Sequence, residues 1–150
     1  MTHVPILNQA PPPEFFENLR SGMAGDDGHA FLESGVVGEF APAFEVQERP
    51  EVLRIQADVP GVKPGDLSIF LSERRLTVCG HREPVADDPR LSFHAYERTY
   101  GKFWRTFRFT QAVEGETARA LLQRGVLTIS VPKRAVGSAR RSRVESLLRA

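Results

Sequence analysis

An all-β sandwich is the fold this sequence predicts, and two observations carry the prediction. The first is a pair of apolar alternations hinged at one glycine, Ala118 to Pro132. Ala118, Ala120 and Leu122 fall on one side of an extended chain, with Arg119, Leu121 and Gln123 opposite. After Gly125, residues Leu127, Ile129 and Val131 repeat the period of two against Val126, Thr128 and Ser130, and Pro132 ends the ladder by removing a donor. Good helix formers also allow a helix through Glu116–Arg124, but the strand-like run downstream favours a hairpin. The second observation lies upstream, where four short alternating segments, each closed by turn residues, occupy about forty residues. That spacing excludes a parallel α/β sheet, whose crossovers need longer helical connections.

The first two of those strands are Phe44 and Val46 alternating with Glu45 and Gln47, then Leu53, Ile55, Ala57 and Val59 alternating with Arg54, Gln56 and Asp58. Pro60-Gly61 breaks the second, and Lys63-Pro64-Gly65-Asp66 makes a loop. Leu67, Ile69 and Leu71 alternate again, and Ser72–Arg75 turns into Leu76-Thr77-Val78-Cys79-Gly80. His81–Ser92 is a polar loop broken by Pro84 and Pro89, with a brief strand expected in Phe93–Arg98. Phe103, Arg105, Phe107 and Phe109 then share one face of a strand, opposite Trp104, Thr106 and Arg108. An arginine among phenylalanines needs a partner, because an unpaired buried charge is costly.

The 150 residues suffice for one domain with a proper core, not two. A net charge of +1 supplies no global field to recruit nucleic acid or an anionic membrane. The ends differ: residues 1–40 carry −5 and residues 133–150 carry +5. Cys79 is the single cysteine, which excludes an internal disulfide and suits a reducing compartment. No apolar run approaches the ~20 residues of a membrane span, and the N-terminus lacks the pattern of a secretion signal, so a cytoplasmic protein is expected. Residues 1–40 form an arm of different texture: Pro11-Pro12-Pro13, a short helical stretch with Phe15, Phe16 and Leu19 on one face, a Gly/Asp-rich segment, then Phe31, Leu32, Val36, Val37 and Phe40 without a burying period. A disordered leader fits that composition, but an arm that exposes sticky side chains to other subunits or clients is the favoured reading.

Five segments together carry a resemblance: Pro42-Ala43-Phe44-Glu45-Val46, Ala57-Asp58-Val59-Pro60-Gly61-Val62, Leu76-Thr77-Val78-Cys79-Gly80-His81-Arg82-Glu83, Glu97-Arg98-Thr99-Tyr100-Gly101-Lys102-Phe103-Trp104-Arg105-Thr106-Phe107, and Ala120-Leu121-Leu122-Gln123-Arg124-Gly125-Val126-Leu127 with Pro132-Lys133. In order and spacing they resemble the alpha-crystallin domain of bacterial small heat-shock proteins, over about residues 41–133. The resemblance implies an immunoglobulin-like antiparallel β-sandwich, flanked by the arm 1–40 and a basic tail 134–150. It implies a holdase that works without ATP or any cofactor, binds partly unfolded client proteins, and hands them to ATP-dependent chaperones. It further implies a dimer by strand exchange through Leu91, Phe93, Ala95, Tyr96 and Glu97, with Arg105 buried near the contact, and larger oligomers. A groove between the sheets, with Leu67, Ile69, Leu71, Ala120 and Leu122, would receive a C-terminal Ile-x-Ile-type pair. Here that pair is degenerate: Ser142-Arg143-Val144 keeps one anchor, Val144. Arg124 stands where Asn is common in the family, and Thr110 where Pro is.

Enzymatic chemistry finds little support. His3, His29, His81 and His94 are scattered, without the spacing of a zinc site, and Cys79 alternates with Val78 as a packing residue. No phosphate-binding loop is visible. Arg140-Arg141-Ser142-Arg143 lacks the interleaved aromatics of an RNA platform and reads as a solubilising tail. Client contacts are expected from Phe15, Phe16, Leu19, Phe31 and Leu32. Two rivals share parts of this reading, a β-sandwich adaptor with one dedicated partner and a tail-driven RNA binder.

Overall fold

The computed structural model describes residues 1–13, 32–84 and 88–135. Among them, ten strands run in chain order: β1 (Thr2–His3), β2 (Ile6–Leu7), β3 (Leu32–Gly38), β4 (Phe44–Glu48), β5 (Val52–Asp58), β6 (Leu67–Ser72), β7 (Arg75–Arg82), β8 (Gly101–Arg108), β9 (Arg119–Gln123) and β10 (Val126–Pro132). They form two five-stranded sheets, ordered β1-β9-β10-β5-β4 and β2-β6-β7-β8-β3. Every pairing is antiparallel except β2 with β6.

Period-two alternation becomes a buried layer, because successive side chains of a strand leave opposite faces. Leu53, Ile55 and Ala57 of β5, Leu67, Ile69 and Leu71 of β6, Leu76 and Val78 of β7, and Leu127, Ile129 and Val131 of β10 are all buried in one apolar cluster. Phe103 and Phe107 of β8 join that cluster, whereas Phe70, Cys79 and Trp104 form a second, smaller one on the other face of their sheet. Beside it, the buried hydroxyls of Thr77 and Thr106 face each other across β7 and β8 at 3.0 Å.

The hairpin of β9 and β10 turns at Arg124 (φ 49°) and Gly125 (φ 77°). Two left-handed residues in a two-residue loop match the right-handed twist of the strands. Arg124 is the one non-glycine residue with positive φ among those described, and it takes the strain that Asn bears more easily. Gly125 is needed for space as well, since a Cβ there would lie 3.1 Å from the Pro60 Cα. The helix through Glu116–Arg124 does not form, because Ala120 to Gln123 pair with β10 and Leu121 and Leu122 also pair with β1. Backbone pairing on both sides overrides the local preference of Ala, Leu and Gln.

Two expectations are corrected. Residues 1–40 are not separate from the sandwich throughout: β1 and β2 each add to an edge, β3 pairs with β8 from Leu32↔Phe107 to Gly38↔Gly101, and Phe40 is buried. Glycines at 35 and 38 hide the alternation of β3, and strands of two residues are too short to show a period at all. Conversely, Phe93–Arg98 forms no strand and pairs with no described strand of its own chain. A lone strand without a ladder has nothing to offset its conformational entropy.

Gly80 lies opposite Phe103 in the β7–β8 register, and a Cβ on it would come within 2.7 Å of that ring and 3.0 Å of Leu67 Cδ2. Phe103 is itself 1% exposed, so its ring has nowhere to retreat. Gly80→Ala is therefore expected to lower the free energy of urea unfolding by about 1–3 kcal/mol; a change near zero would mean that this part of the core is looser than its packing indicates.

Candidate functional site

A sandwich of two sheets has two open seams, and each here carries a distinct cluster. At the first, β6 of one sheet faces β9 of the other. Leu67, Ile69, Leu71, Ala120 and Leu122 line this seam and are buried. They are covered by residues 2–7, which cross from one sheet to the other. Thr2 and His3 pair antiparallel with Leu122 and Leu121, and Ile6 and Leu7 pair parallel with Ile69 and Phe70. Val4 sits between, 3% exposed, and its N–H donates to the Ala120 carbonyl at 3.0 Å. Burying one valine in this way stabilises by roughly 1.5–3 kcal/mol. Beside the segment a hollow of about 480 Å³ is lined by His3, Pro5, Asn8, Gly115, Glu116 and Arg119. The sequence reading missed Val4; the signal available was the apolar run Val4-Pro5-Ile6-Leu7 in an otherwise polar start.

The second seam lies between β4 and β8. Phe44 of β4 packs its ring 6.5 Å from Phe103 and 5.5 Å from Phe107, and Phe40 meets Phe103 edge-on at 5.7 Å. β4 ends its sheet, so one of its edges has no strand beside it among the described residues, and Val46 on it is 47% exposed. Arg105, on the inward face of β8, places its guanidinium 5.4 Å from the centre of Phe44 and 5.9 Å from that of Phe107. Its Nε is buried and makes no hydrogen bond to any described residue. The expected carboxylate or backbone acceptor is thus not found within the described part of this chain, and the two rings supply only cation–π attraction.

Arg82, at the end of β7, is the satisfied counterpart. Its Nε donates to the Thr99 carbonyl at 2.7 Å, Nη1 to the Pro60 carbonyl at 3.1 Å, and Nη2 to the Thr99 hydroxyl at 3.0 Å and to the Thr99 carbonyl. The guanidinium carbon lies 3.8 Å over the Phe40 ring. One buried fork thereby ties the Pro60 turn, the loop before β8 and Phe40 together, which a lysine could not do from a single point charge. The loop it holds is apolar and exposed: Leu91 is 50%, Phe93 57% and Tyr96 59% exposed, with Ala95 and Glu97 also in solvent. Phe93 and Tyr96 stack edge-to-face at 5.4 Å, and Tyr96 leans on Tyr100 at 6.0 Å. At the start of the loop Arg90 grips Asp88 at 2.9 Å and holds that carboxyl below its ordinary range.

The structure therefore separates the residues singled out in the sequence. Leu91, Phe93, Ala95, Tyr96 and Glu97 stand together on one loop, Arg105 lies at the second seam, and the five groove residues line the first. Leu32 begins β3, opposite Phe107. Phe15, Phe16, Leu19, Phe31 and Val144 lie outside the described residues. Cys79 is buried beside Phe70 and Trp104, its thiol 3.3 Å from the Ser68 carbonyl, and burial pushes its pKa up to about 12. Among the described residues no three His, Cys, Asp or Glu side chains converge as metal ligands, and no helix is long and apolar enough to cross a membrane.

This geometry defines a class, a two-sheet antiparallel sandwich with a long exposed loop, a filled intersheet seam and, among the described residues, an edge strand open on one side. The chain belongs to the Hsp20/alpha crystallin family, whose model matches residues 45–145. It is 41% identical over 107 residues to spore protein SP21 of Stigmatella aurantiaca (strain DW4/3-1), covering 71% of this chain and 63% of that protein. It is 33% identical over 113 residues to a 17.6 kDa class I heat shock protein of Solanum peruvianum, covering 74% and 73%. Among solved structures, a small heat-shock protein from Xylella fastidiosa superposes with a TM-score of 0.58 at 30% identity, over 65% of this chain and 89% of that one. HspA from Xanthomonas axonopodis gives 0.56 at 27% identity, over 64% and 96%.

Two outcomes follow from the side-chain environments. Arg82→Ala removes donors from the buried carbonyls of Thr99 and Pro60 and is expected to destabilise by about 2–4 kcal/mol in urea unfolding; a loss below half of that would show that water replaces the fork. A thiolate is the reactive form of cysteine, so iodoacetamide at about pH 8 should label Cys79 only after denaturation. Rapid labelling of the folded protein would contradict its burial.

Proposed function

We propose that this chain is an ATP-independent holdase of the cytoplasm, which binds partly unfolded proteins and keeps them from aggregating, and that it does so as a self-associating dimer or larger oligomer. The observation that carries this reading is an apolar loop, Leu91, Phe93 and Tyr96, left in water by a member of a heat-shock family. Apolar groups exposed together on a folded surface mark an interaction site. Its first partner is a second subunit: the loop segment adds as a strand to the free edge of the neighbour's β4, satisfying its N–H and C=O groups. That addition brings backbone carbonyls or Glu97 toward the second seam, and Arg105, with its unbonded Nε, is the group that would meet them.

Client binding falls to Phe15, Phe16, Leu19 and Phe31 with the sandwich seams. Contacts of this kind remove client apolar surface from water at roughly 25 cal/mol per Å² and need no fixed ligand geometry. Display of several such arms on one oligomer multiplies weak contacts. Clients so held are passed to ATP-dependent chaperones.

Light scattering from a heat-labile client, without nucleotide, tests the reading. Wild-type protein should suppress aggregation, and the triple variant Phe15→Ser, Phe16→Ser, Leu19→Ser should suppress it several-fold less at equal concentration. Because β1 to β3 lie within residues 1–40, substitutions are preferred to deletion of that region. Phe93→Ser with Tyr96→Ser should lower the mass measured by multi-angle scattering. No suppression by wild type at several-fold excess would overturn the holdase reading in favour of an adaptor with one dedicated partner.

A further inference from the structure

We propose that the outward face of the β2-β6-β7-β8-β3 sheet is a docking surface, and that its occupant is residues 14–31 of the same chain, laid across the sheet from the β2 edge to the β3 edge.

This face is dry where an outer face is ordinarily wet. Phe70 of β6, Thr77 and Cys79 of β7, and Trp104 and Thr106 of β8 point away from the shared core, yet none of the five is more than 8% exposed. An antiparallel sheet with one face on the core and one in solvent carries polar residues on the second. Here the second face holds apolar side chains, which need a further layer over them. All ten described strands are used within the two sheets, so none of them supplies that layer.

Register locates the segment that can. One cross-strand row runs Leu7↔Phe70, Phe70↔Thr77, Thr77↔Thr106 and Thr106↔Glu33. The chain leaves one end of this row at the close of β2 and returns to its other end at the start of β3. Four strand spacings separate the two edges, ~19 Å in all, and residues 14–31 reach up to ~60 Å when extended. On the inner side the sheet is closed by the core it shares with its neighbour, so the outward face is the one open to a crossing segment.

Charge distinguishes this occupant from the C-terminal tail. The apolar patch is framed by the cross-strand pairs Arg75↔Arg108 at one end and His81↔Lys102 at the other, with no carboxylate in either pair. Like charges set opposite each other are destabilising, and acidic groups laid beside them offset the repulsion. Residues 14–31 bring Glu14, Glu17, Asp26 and Asp27 against the single Arg20, and they bring Phe15, Phe16 and Phe31 to the apolar centre. Residues 136–150 carry four arginines against one glutamate and are repelled by the same frame. The phenylalanines assigned above to clients are then the ones that cover this face, so a client competes for them; that consequence rests on the holdase reading, whereas the docking itself does not.

Trp104 is the single tryptophan and stands in the covered patch, so acrylamide quenching of its fluorescence reads the cover with no client present. In the full chain, Phe15→Ser with Phe16→Ser and Phe31→Ser should raise the quenching constant several-fold and shift the emission to the red, with the far-UV circular dichroism of a folded sandwich. Unchanged quenching in the folded triple variant overturns the proposal. Should that variant not fold, Glu17→Lys with Asp26→Lys and Asp27→Lys, which removes no apolar group, decides the matter: a rise of about twofold is expected, and no change overturns the docking. Val144→Ser with Leu147→Ser and Leu148→Ser should quench like wild type; exposure of Trp104 by these changes would give the face to the tail instead. Refolding the serine triple variant from urea with an excess of Trp104→Phe protein, which has no tryptophan and an intact residue 14–31 segment, separates own chain from neighbour. Quenching that stays high keeps the occupant within its own chain, and restored shielding would assign the face to a second copy and overturn the proposal. Because no client enters these measurements, their outcome is independent of whether the protein suppresses aggregation.

Discussion

Two sheets share one layer of side chains, and everything else in this protein follows from having to close that layer at its sides. Ile55, Ile69, Leu76, Val78, Phe103, Leu127 and Ile129 fill the middle and are essentially inaccessible. Strands cover them from above and below, but a sandwich that does not curl into a barrel keeps two seams at which apolar side chains meet water. One seam is covered by six residues from the start of the chain. The other is covered by Phe40, Phe44 and two arginines that lie over aromatic rings.

The two arginines show how position decides the meaning of a buried cation. Arg82 spends its fork on the Thr99 and Pro60 carbonyls and sits flat over Phe40, so its charge is both bonded and stacked. Arg105 has similar aromatic company, yet its Nε lacks an acceptor among the described residues. The first arginine is a clamp inside one chain, and the second stands among aromatic rings with no hydrogen-bond acceptor for its Nε among the described residues. β4 keeps one edge with no strand beside it among the described residues, while the loop carrying Phe93 joins no described strand.

Much of the sandwich was legible in the sequence because alternation is a local consequence of pleating. β5, β6, β7, β8 and the β9–β10 hairpin appear in the residues as written, including the place of Arg105 among phenylalanines. The family resemblance was legible for the same reason, since its motifs are strand ends and turns at fixed spacing. β1, β2 and β3 were not legible. Two-residue strands have no measurable period, and β3 is interrupted by Gly35 and Gly38, so only the presence of β9, β6 and β8 makes strands of them. The segment Phe93–Arg98 errs in the opposite direction, apolar enough to suggest a strand and yet joined to no described strand of its own chain.

By itself, then, the sequence determined which side chains face inward and where the chain turns, because a period of two and a left-handed glycine act over a few residues. Tertiary structure alone decided what covers the open sides of the sandwich. It put Val4 between the sheets, set Arg82 on the Thr99 carbonyl seventeen residues away, and left the Arg105 Nε without an acceptor among the described residues. Those outcomes depend on which distant edges come together, and edge geometry is set by twist and register across the whole sheet, quantities no short window of residues contains.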